Sequence, residues 1–534
     1  MKTSRVVLSA LLFVAGGLSR LLFVGPVPIN WDAVQFALGV ERFDLHMHQP
    51  HAPGYILYVL MGRAINLLVG DPSVSLALLS VLASALAAPL VYLSALDMLD
   101  DHAVALGAAL LVLGSPLALY YGSVGLTYVP EMVLSAAVGW AAWRVRKAPS
   151  IRSAMVMGAL LGVAGGVRQT SIVVLLPLCI WALWPPRSRS ISRKAMAAFG
   201  ATLVGVTLLW LVPLVALSGG PSAYLRENSL LAQTTSGQTS IFAVGIGGPA
   251  YNFTFEGLSL AVGLAFGVIP LGLWAARVIR FSLASDLKGL MAWWVLPALA
   301  FYGLTHIGQY GYVLVVLPPL AMLSALCARV LVGTGARFAS RAVLVCGVLS
   351  LPSAGYFLWA QGPTTASSIS LNNTYWEGVR SVLQEADPDH TVLVSSVEWD
   401  GPFRHAGYLL PVYHTYAYGD ERVANGKRGW LYSAYGGLSD YVLPRPAPRE
   451  YLELPGGTKV VVGLDKATGE MLSREKDVQR VSLGGSSTLY MLDSSPSTIT
   501  GLIISGQRLQ PVYGEREGLW TGQKESIKHD TSRR

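Results

Sequence analysis

Long apolar stretches fill the chain up to about residue 360, and charged residues interrupt them only briefly. A helix that spans a membrane needs roughly 20 mostly apolar residues, and about eleven stretches meet or approach that length. These stretches are residues 6–24, 73–96, 103–122, 128–143, 153–170, 171–184, 195–217, 256–276, 288–305, 311–332 and 341–360. The pattern predicts an all-α polytopic membrane domain over residues 1–360.

The pattern changes after residue 361, where charged residues become frequent and no stretch is long enough to span a bilayer. Residues 375–386 have the composition of a helix. Residues 391–397, 458–464 and 487–492 are rich in Val, Leu and Thr, which is typical of strands. We therefore expect a small soluble α/β domain over residues 361–534. Its last ~30 residues are polar and are predicted to be disordered.

Composition supports a membrane protein and argues against a nucleic-acid partner. Hydrophobic residues make up 52% of the chain and charged residues only 13%, against roughly 25% charged in soluble domains. The net charge of +8 would suggest nucleic acid in a soluble protein, but here the bases sit in short loops between apolar stretches. The three cysteines lie in apolar stretches and give neither a disulfide framework nor a metal-binding spacing.

Basic residues in the short loops predict the orientation, because cytoplasmic loops carry an excess of Lys and Arg. With the N-terminus inside, the inner loops hold Arg144, Arg146, Lys147, Arg152, Arg187, Arg189, Arg193, Lys194, Arg277, Arg280, Arg337 and Arg341. The outer segments are then 25–72, 123–127, 218–255, 306–310 and 361–534. The first stretch also resembles a signal peptide. Without a small-residue cleavage site before Asn30, we expect it to remain as the first helix.

The first outer loop, residues 25–72, combines apolar periodicity with polar side chains. Apolar residues at helical spacing over 33–43 predict an amphipathic helix lying flat at the membrane interface, and a second helix is expected from Gly54 to Val69. Asp32 stands at the start of the first helix. Aspartate is favoured as an N-cap, and a positioned carboxylate can also accept a proton from an attacking hydroxyl. Both roles remain open at this point.

Three histidines, His46, His48 and His51, crowd the end of the same loop. Their spacing suits neither one face of a helix nor the common zinc patterns. Hydrogen bonding to a phosphate or a sugar is the favoured interpretation, and a divalent metal is left open.

Three motifs resemble the GT-C glycosyltransferases, in the branch of protein O-mannosyltransferase-like and aminoarabinose-transferase-like membrane proteins. The motifs are Trp31-Asp32 with His51-Ala52-Pro53-Gly54-Tyr55, Tyr121-Gly122-Ser123 through to Glu131, and Gly308-Gln309-Tyr310-Gly311-Tyr312 leading into Pro318-Pro319. The resemblance covers roughly the first 360 residues. It departs at Ala33, where several relatives carry a second acid, and at Ala52, where a proline is usual.

The resemblance implies a polyprenyl-phosphate sugar donor, attack at the anomeric carbon of the sugar and usually inversion there. It also implies that Asp32 is the catalytic carboxylate and Glu131 a supporting acid. A bacterial inner membrane follows from the family branch alone. The acceptor, which is a protein, a lipid or a glycan, is not specified.

Several basic residues lie on the predicted outer side of the membrane, against the positive-inside rule, so their positions need an explanation. Arg168 stands at the outer end of an apolar stretch, where a charge is costly and usually functional. We predict that it binds the donor phosphate, with snorkelling to lipid headgroups as the alternative. For Arg20 and Arg226 we favour snorkelling. The further residues predicted to bind the phosphate or sugar are His51, Arg63, His306, Gln309 and Tyr310. For the last three, anchoring at the membrane interface is an equal alternative.

Two rival functions share this topology. A transporter or flippase of lipid-linked sugars would need ionisable groups or broken helices near mid-membrane, and few charges lie at the centres of the stretches. A membrane assembly protein would use the helices only as a scaffold. A polymerase of lipid-linked glycans remains open within the sugar-transfer class.

Overall fold

The computed structural model describes nine segments of the chain. They are residues 2–184, 192–333, 335–396, 402–418, 451–452, 458–473, 478–483, 488–493 and 504–505. The polar tail that is predicted to be disordered lies outside them.

The chain up to residue 359 is helical almost throughout. Its α-helices are α1 (Lys2–Leu21), α2 (Trp31–Glu41), α3 (Ile56–Val69), α4 (Pro72–Leu99), α5 (His102–Leu113), α6 (Pro116–Tyr121), α7 (Tyr128–Lys147), α8 (Ile151–Val167), α9 (Thr170–Leu183), α10 (Arg193–Leu217), α11 (Pro221–Thr234), α12 (Ser236–Thr239), α13 (Ile241–Val244), α14 (Gly247–Leu264), α15 (Val268–Ala275), α16 (Ser285–Leu304), α17 (Leu317–Val332) and α18 (Ala339–Trp359). Short 3-10 helices run over Ala265–Gly267, Tyr310–Val316 and Ala336–Phe338.

Six helical segments among the described residues are long and apolar enough to cross a membrane. They are Pro72–Leu99, Arg193–Leu217, Gly247–Ala275, Ser285–Leu304, Tyr310–Val332 and Ala336–Trp359. Shorter apolar helices are Ile56–Val69, His102–Leu113, Ile151–Val167 and Thr170–Leu183. The polytopic helical class is therefore confirmed, while the count of about eleven spans stays a prediction. All three cysteines are free and buried, as expected for small apolar residues.

The chain packs into two compact units. The first comprises residues 1–26, 53–224 and 231–369, and it is the helical membrane unit. The second joins residues 27–52 and 225–230 to the chain from residue 370 onwards. Most of the first outer loop thus folds together with the C-terminal part of the chain.

The second unit contains a five-stranded mixed sheet. After α19 (Ala366–Leu383) come β1 (Thr391–Ser396), α20 (Phe403–Leu409), β2 (His414–Tyr418), β3 (Tyr451–Leu452), β4 (Val460–Gly463), α21 (Lys466–Leu472), β5 (Val478–Ser482), β6 (Thr488–Asp493) and β7 (Ile504–Ser505). The sheet order is β2-β1-β4-β6-β5, while β3 and β7 pair separately. Strand β1 is parallel to both β2 and β4, and β6 is antiparallel to β4 and β5. The α/β character that was predicted for this region is confirmed.

Helix α2 corrects two expectations for the first outer loop. It forms over Trp31–Glu41, but nearly every residue of it is buried, so it is not an amphipathic helix with one face open. Asn30 is the N-cap and accepts a hydrogen bond from the Ala33 N–H. Asp32 lies inside the first turn, so the N-cap role that was left open for it is excluded.

Candidate active site

Asp32 lies one residue into α2, where the helix N-terminus favours a negative charge. Its side chain is 29% exposed, so the carboxylate is held by the fold and still reachable. The Nδ1 atom of His51 lies 3.8 Å from Asp32 Oδ1. The His51 ring is nearly buried and packs against Phe36, with 5.2 Å between ring centroids. Asp32 and His51, which the motifs singled out separately, are therefore brought together.

A tight turn shapes the loop between these two residues. Asp44 and Gln49 exchange two backbone hydrogen bonds, of 2.6 and 2.8 Å. The three histidines of this loop lie in different surroundings. His46 Nδ1 lies 3.1 Å from Glu227 Oε1, whereas His48 is buried and burial lowers the pKa of its imidazole well below the usual value. Within the described residues, no group of three or more His, Cys, Asp or Glu side chains is arranged to hold a metal ion.

Glu131 and Arg168 form a buried ion pair in the membrane unit. Arg168 Nε lies 3.3 Å from Glu131 Oε2, and the two side chains are only 6% and 1% exposed. Ser171 donates a hydrogen bond of 2.7 Å to Glu131 Oε1. Arg168 Nη1 donates to the Thr127 hydroxyl at 3.1 Å. Hydrogen bonds of this kind lower the cost of a buried ion pair, because they satisfy some of its other donors and acceptors.

Two tyrosines enclose the guanidinium of Arg168. Its central carbon lies 4.7 Å from the ring centroid of Tyr128 and 4.4 Å from that of Tyr312. Aromatic faces attract cations, and the attraction is stronger where water is excluded. Sequence reasoning predicted Arg168 and Glu131 individually but missed their pairing and both tyrosines. Opposite charges at the same predicted outer end of two apolar stretches were the available signal.

His306 joins the same aromatic cluster. Its ring centroid is 6.4 Å from that of Tyr312, and its Nδ1 lies 3.0 Å from the Thr239 hydroxyl. Burial, with the positive charge of Arg168 as a second cause, lowers the pKa of His306 to about 4. The imidazole is therefore neutral at physiological pH, so it offers hydrogen bonds rather than charge.

The other predicted binding residues take different positions. Gln309 and Tyr310 are half-buried beside His306 in the sequence, and Tyr310 packs against Phe255 with 4.7 Å between centroids. Arg63 lies half-buried on α3.

Both arginines that were expected to snorkel contact protein groups, but only the buried Arg20 contradicts that expectation, and snorkelling of Arg226 stays a prediction. Arg20 is 2% exposed and donates a hydrogen bond of 2.9 Å to the Leu113 carbonyl, so the snorkelling prediction was wrong for it. Arg226 lies 3.1 Å from Glu227 Oε1.

Comparison with known proteins agrees with these features. Residues 51–214 match the family described as dolichyl-phosphate-mannose-protein mannosyltransferase. A crystal structure of ArnT from Cupriavidus metallidurans bound to undecaprenyl phosphate is similar over 92% of this chain and 98% of its own, with a TM-score of 0.51 and 14% identity. The fold is of the GT-C type. The apo structure of the same ArnT matches over the same shares, with a TM-score of 0.49 and 14% identity. No curated protein matches the sequence.

These findings confirm the predicted resemblance to membrane glycosyltransferases of the mannosyltransferase and aminoarabinose-transferase type. Residues 51–214, over which the chain matches this family, include His51, Glu131 and Arg168, whereas Asp32 precedes them. The family match covers less than a third of the chain, and the likeness to ArnT shows the fold. The roles of individual residues rest on the geometry described above.

Proposed function

We propose that the protein transfers a sugar from a polyprenyl-phosphate carrier to an acceptor on the extracytoplasmic face of a bacterial inner membrane. The observation that carries this proposal is the Asp32 carboxylate, which is fixed at a helix N-terminus beside His51 and remains partly open, in a chain with a GT-C fold. The acceptor is a hydroxyl-bearing protein, lipid or glycan.

Asp32 acts as the general base. An acceptor hydroxyl is a weak nucleophile, and a carboxylate within hydrogen-bond reach accepts its proton as the oxygen attacks. The new bond forms at the anomeric carbon of the sugar while the bond from that carbon to the carrier phosphate breaks. The polyprenyl phosphate leaves as an anion, and the proton remains on Asp32 until solvent removes it. Attack opposite the leaving phosphate inverts the anomeric centre.

The departing phosphate requires fixed donors and positive charge. Arg168 is a permanent cation that its buried contacts hold in place, and Glu131 positions it. His306 adds a neutral donor next to the same aromatic cluster. We assign to the donor phosphate and sugar these residues together with His51, Arg63, Gln309 and Tyr310. Preorganised groups of this kind stabilise developing charge without reorganising during the reaction.

A donor panel tests the proposal. Membranes that contain the protein, and matched membranes that lack it, are incubated with radiolabelled polyprenyl-phosphate hexoses and pentoses and with a membrane extract as the acceptor source. We expect label to move from one donor to a non-carrier product only where the protein is present. Movement of the intact donor across the membrane without release of carrier phosphate would favour a flippase and contradict the proposal.

A further inference from the structure

Helix α14 carries two buried polar side chains that the mechanism above does not use. Asn252 is 0% exposed and Glu256, one helical turn later, is 3% exposed. The Asn252 amide nitrogen donates to the Thr239 and Gly303 carbonyls at 3.1 and 3.3 Å, which fixes the orientation of the amide. Within the described residues, Asn252 Oδ1 and Glu256 Oε1 have no hydrogen-bond partner.

Unpartnered acceptors are unusual in a buried setting. Leaving one unsatisfied destabilises the fold, and an ionisable group within a membrane segment is by default a candidate for function. A third buried polar residue on the same face, Ser259, shows the ordinary arrangement, because its hydroxyl donates to the Phe255 carbonyl at 2.7 Å. Asn252 and Glu256 therefore differ from their neighbour in presenting acceptors that are still available.

Their surroundings connect them to the donor residues. Thr239, whose carbonyl holds the Asn252 amide, also contacts His306 through its hydroxyl at 3.0 Å. Phe255, adjacent to Glu256, packs against Tyr310. Two free acceptors thus lie next to groups that we assign to the lipid-linked donor.

We propose that Asn252 and Glu256 form a subsite that accepts hydrogen bonds from hydroxyl or ammonium groups of the carried sugar. This inference rests on the proposed function. The two unpartnered oxygens, Asn252 Oδ1 and Glu256 Oε1, can accept hydrogen bonds, and a sugar offers many hydroxyl donors, whereas the oxygens of a phosphate are themselves acceptors. The subsite therefore recognises the sugar and not its carrier.

The test compares two ligands on purified protein: the polyprenyl-phosphate sugar that is transferred in the donor panel, and bare undecaprenyl phosphate. Glu256→Leu, which removes both carboxyl oxygens at similar size, should weaken binding of the sugar-linked donor about tenfold and leave binding of the bare carrier unchanged, as expected for loss of one or two hydrogen bonds. Ser259→Ala, the matched control on the same helix, should alter neither. Equal weakening for both ligands, or no change for either, would overturn the subsite. Failure of the wild type to bind either ligand would overturn the proposed function itself.

A second, independent observation concerns the second unit, where the segment 27–52 that contains Asp32 is tied to the α/β domain. Val27 belongs to the same buried core cluster as Trp376, Leu393 and Val462. Asn372 donates to the Pro28 carbonyl at 3.1 Å, and His405 Nε2 lies 3.0 Å from the same oxygen. The chain is therefore anchored four residues before Asp32.

The far end of the segment and the anchoring histidine are also fixed. Arg404, 2% exposed, donates to the Met47 carbonyl at 3.3 Å. The His405 ring stacks on Trp376 with 5.5 Å between centroids and 15° between planes. Burial lowers the pKa of His405 to about 4, so a neutral imidazole donates to the Pro28 carbonyl.

We infer that the C-terminal domain sets the position of Asp32, with His405 as a positioning residue that acts through the Pro28 carbonyl. The inference also rests on the proposed function. A general base that is displaced by about 1 Å loses much of its effect, while substrate binding is affected less. The C-terminal domain thus contributes to the transfer reaction by positioning Asp32.

Steady-state transfer kinetics test this role. His405→Phe keeps an aromatic ring against Trp376 but removes the donor, and it should lower kcat at least tenfold with little change in the KM for the lipid-linked sugar. His405→Gln keeps a donor and should recover much of kcat. His390→Phe, at a half-exposed histidine of the same domain, is the control and should behave as wild type. An unchanged kcat in folded His405→Phe, or an equal loss in His405→Gln, would overturn the role of His405.

Discussion

Glu131 and Arg168 show how a buried residue acquires its role from its neighbours. Each carries a charge at a depth where an isolated charge would be costly, and each is acceptable because the other lies 3.3 Å away. The sequence alone identified both residues as candidates for the site. It did not show that the two side chains form an ion pair, since that depends on which helix ends meet.

Removing the Glu131 carboxylate should destabilise the folded protein and also lower the rate of sugar transfer. Glu131→Gln leaves the Arg168 cation buried without its partner, and loss of one member of a buried pair typically costs about 3–5 kcal/mol. Thermal unfolding of the purified protein should show a clearly lower midpoint, whereas Glu385→Gln, at an exposed acid, should show none. A normal midpoint with lost transfer would instead make Glu131 a residue that acts only in the reaction.

The buried histidine His405 predicts a dependence of stability on pH. Its pKa is about 4 in the folded protein and near 6.5 when unfolded, so the unfolded chain binds more protons between these values. Stability from this group is complete above pH 6.5 and is lost as the pH falls towards 4. The unfolding midpoint of wild type should therefore drop more between pH 7 and pH 5 than that of His405→Gln. Parallel curves for the two proteins would refute this.

At the scale of elements, the strands in the middle of the sheet were predicted correctly, and the strands at its edges were missed. Strands β1, β4 and β6, which hold the middle of the sheet, were predicted from their Val- and Leu-rich sequences. Strands β2 and β5 were not. Both lie at the edges of the sheet, where only one neighbour is present, and β5 is accordingly less buried. Helix α2 was predicted to be amphipathic, with one face exposed, but it is buried on almost every side.

Helix contacts in the membrane unit depend on small residues, and Gly139 on α7 is the clearest case. A side chain there would collide with the ring of Trp294 on α16, which is fully buried and donates to the Ser135 hydroxyl at 2.8 Å. Gly139→Val should lower the unfolding midpoint by several degrees. Gly205→Val, on α10 where nothing lies within 4 Å, is the matched control and should not. Equal midpoints for the two variants would show that this helix contact is not tight.

At the scale of the whole molecule, composition and hydropathy were enough to predict a polytopic helical protein with a small α/β domain. They could not show that residues 27–52 fold with that domain, because the contacts join residues more than 300 positions apart, as between Asn372 and Pro28. Long-range contacts of this kind leave no local periodicity in the sequence. The orientation in the membrane rests on the basic inner loops.

Reporter fusions test that orientation. A reporter that is active only outside the cytoplasm should be active when fused after residue 361 or within 218–255, and inactive in the loop at Arg144–Arg152. A cytoplasmic reporter should show the reverse pattern. If each reporter were active only at the positions predicted for the other, the topology would be the reverse of the predicted one. Asp32 would then lie on the cytoplasmic face, against the proposed function.

The most direct test of the role of Asp32 measures donor binding and sugar transfer separately. Asp32→Asn preserves the size of the side chain and removes the base, while Asp71→Asn makes the same change at the N-cap of α4. We predict that purified Asp32→Asn binds the lipid-linked sugar as wild type does and transfers it at least a thousandfold more slowly, at the larger end of the range for loss of a general base. Asp71→Asn should keep normal transfer. Transfer by folded Asp32→Asn at the wild-type rate would contradict the central claim that this carboxylate carries the reaction.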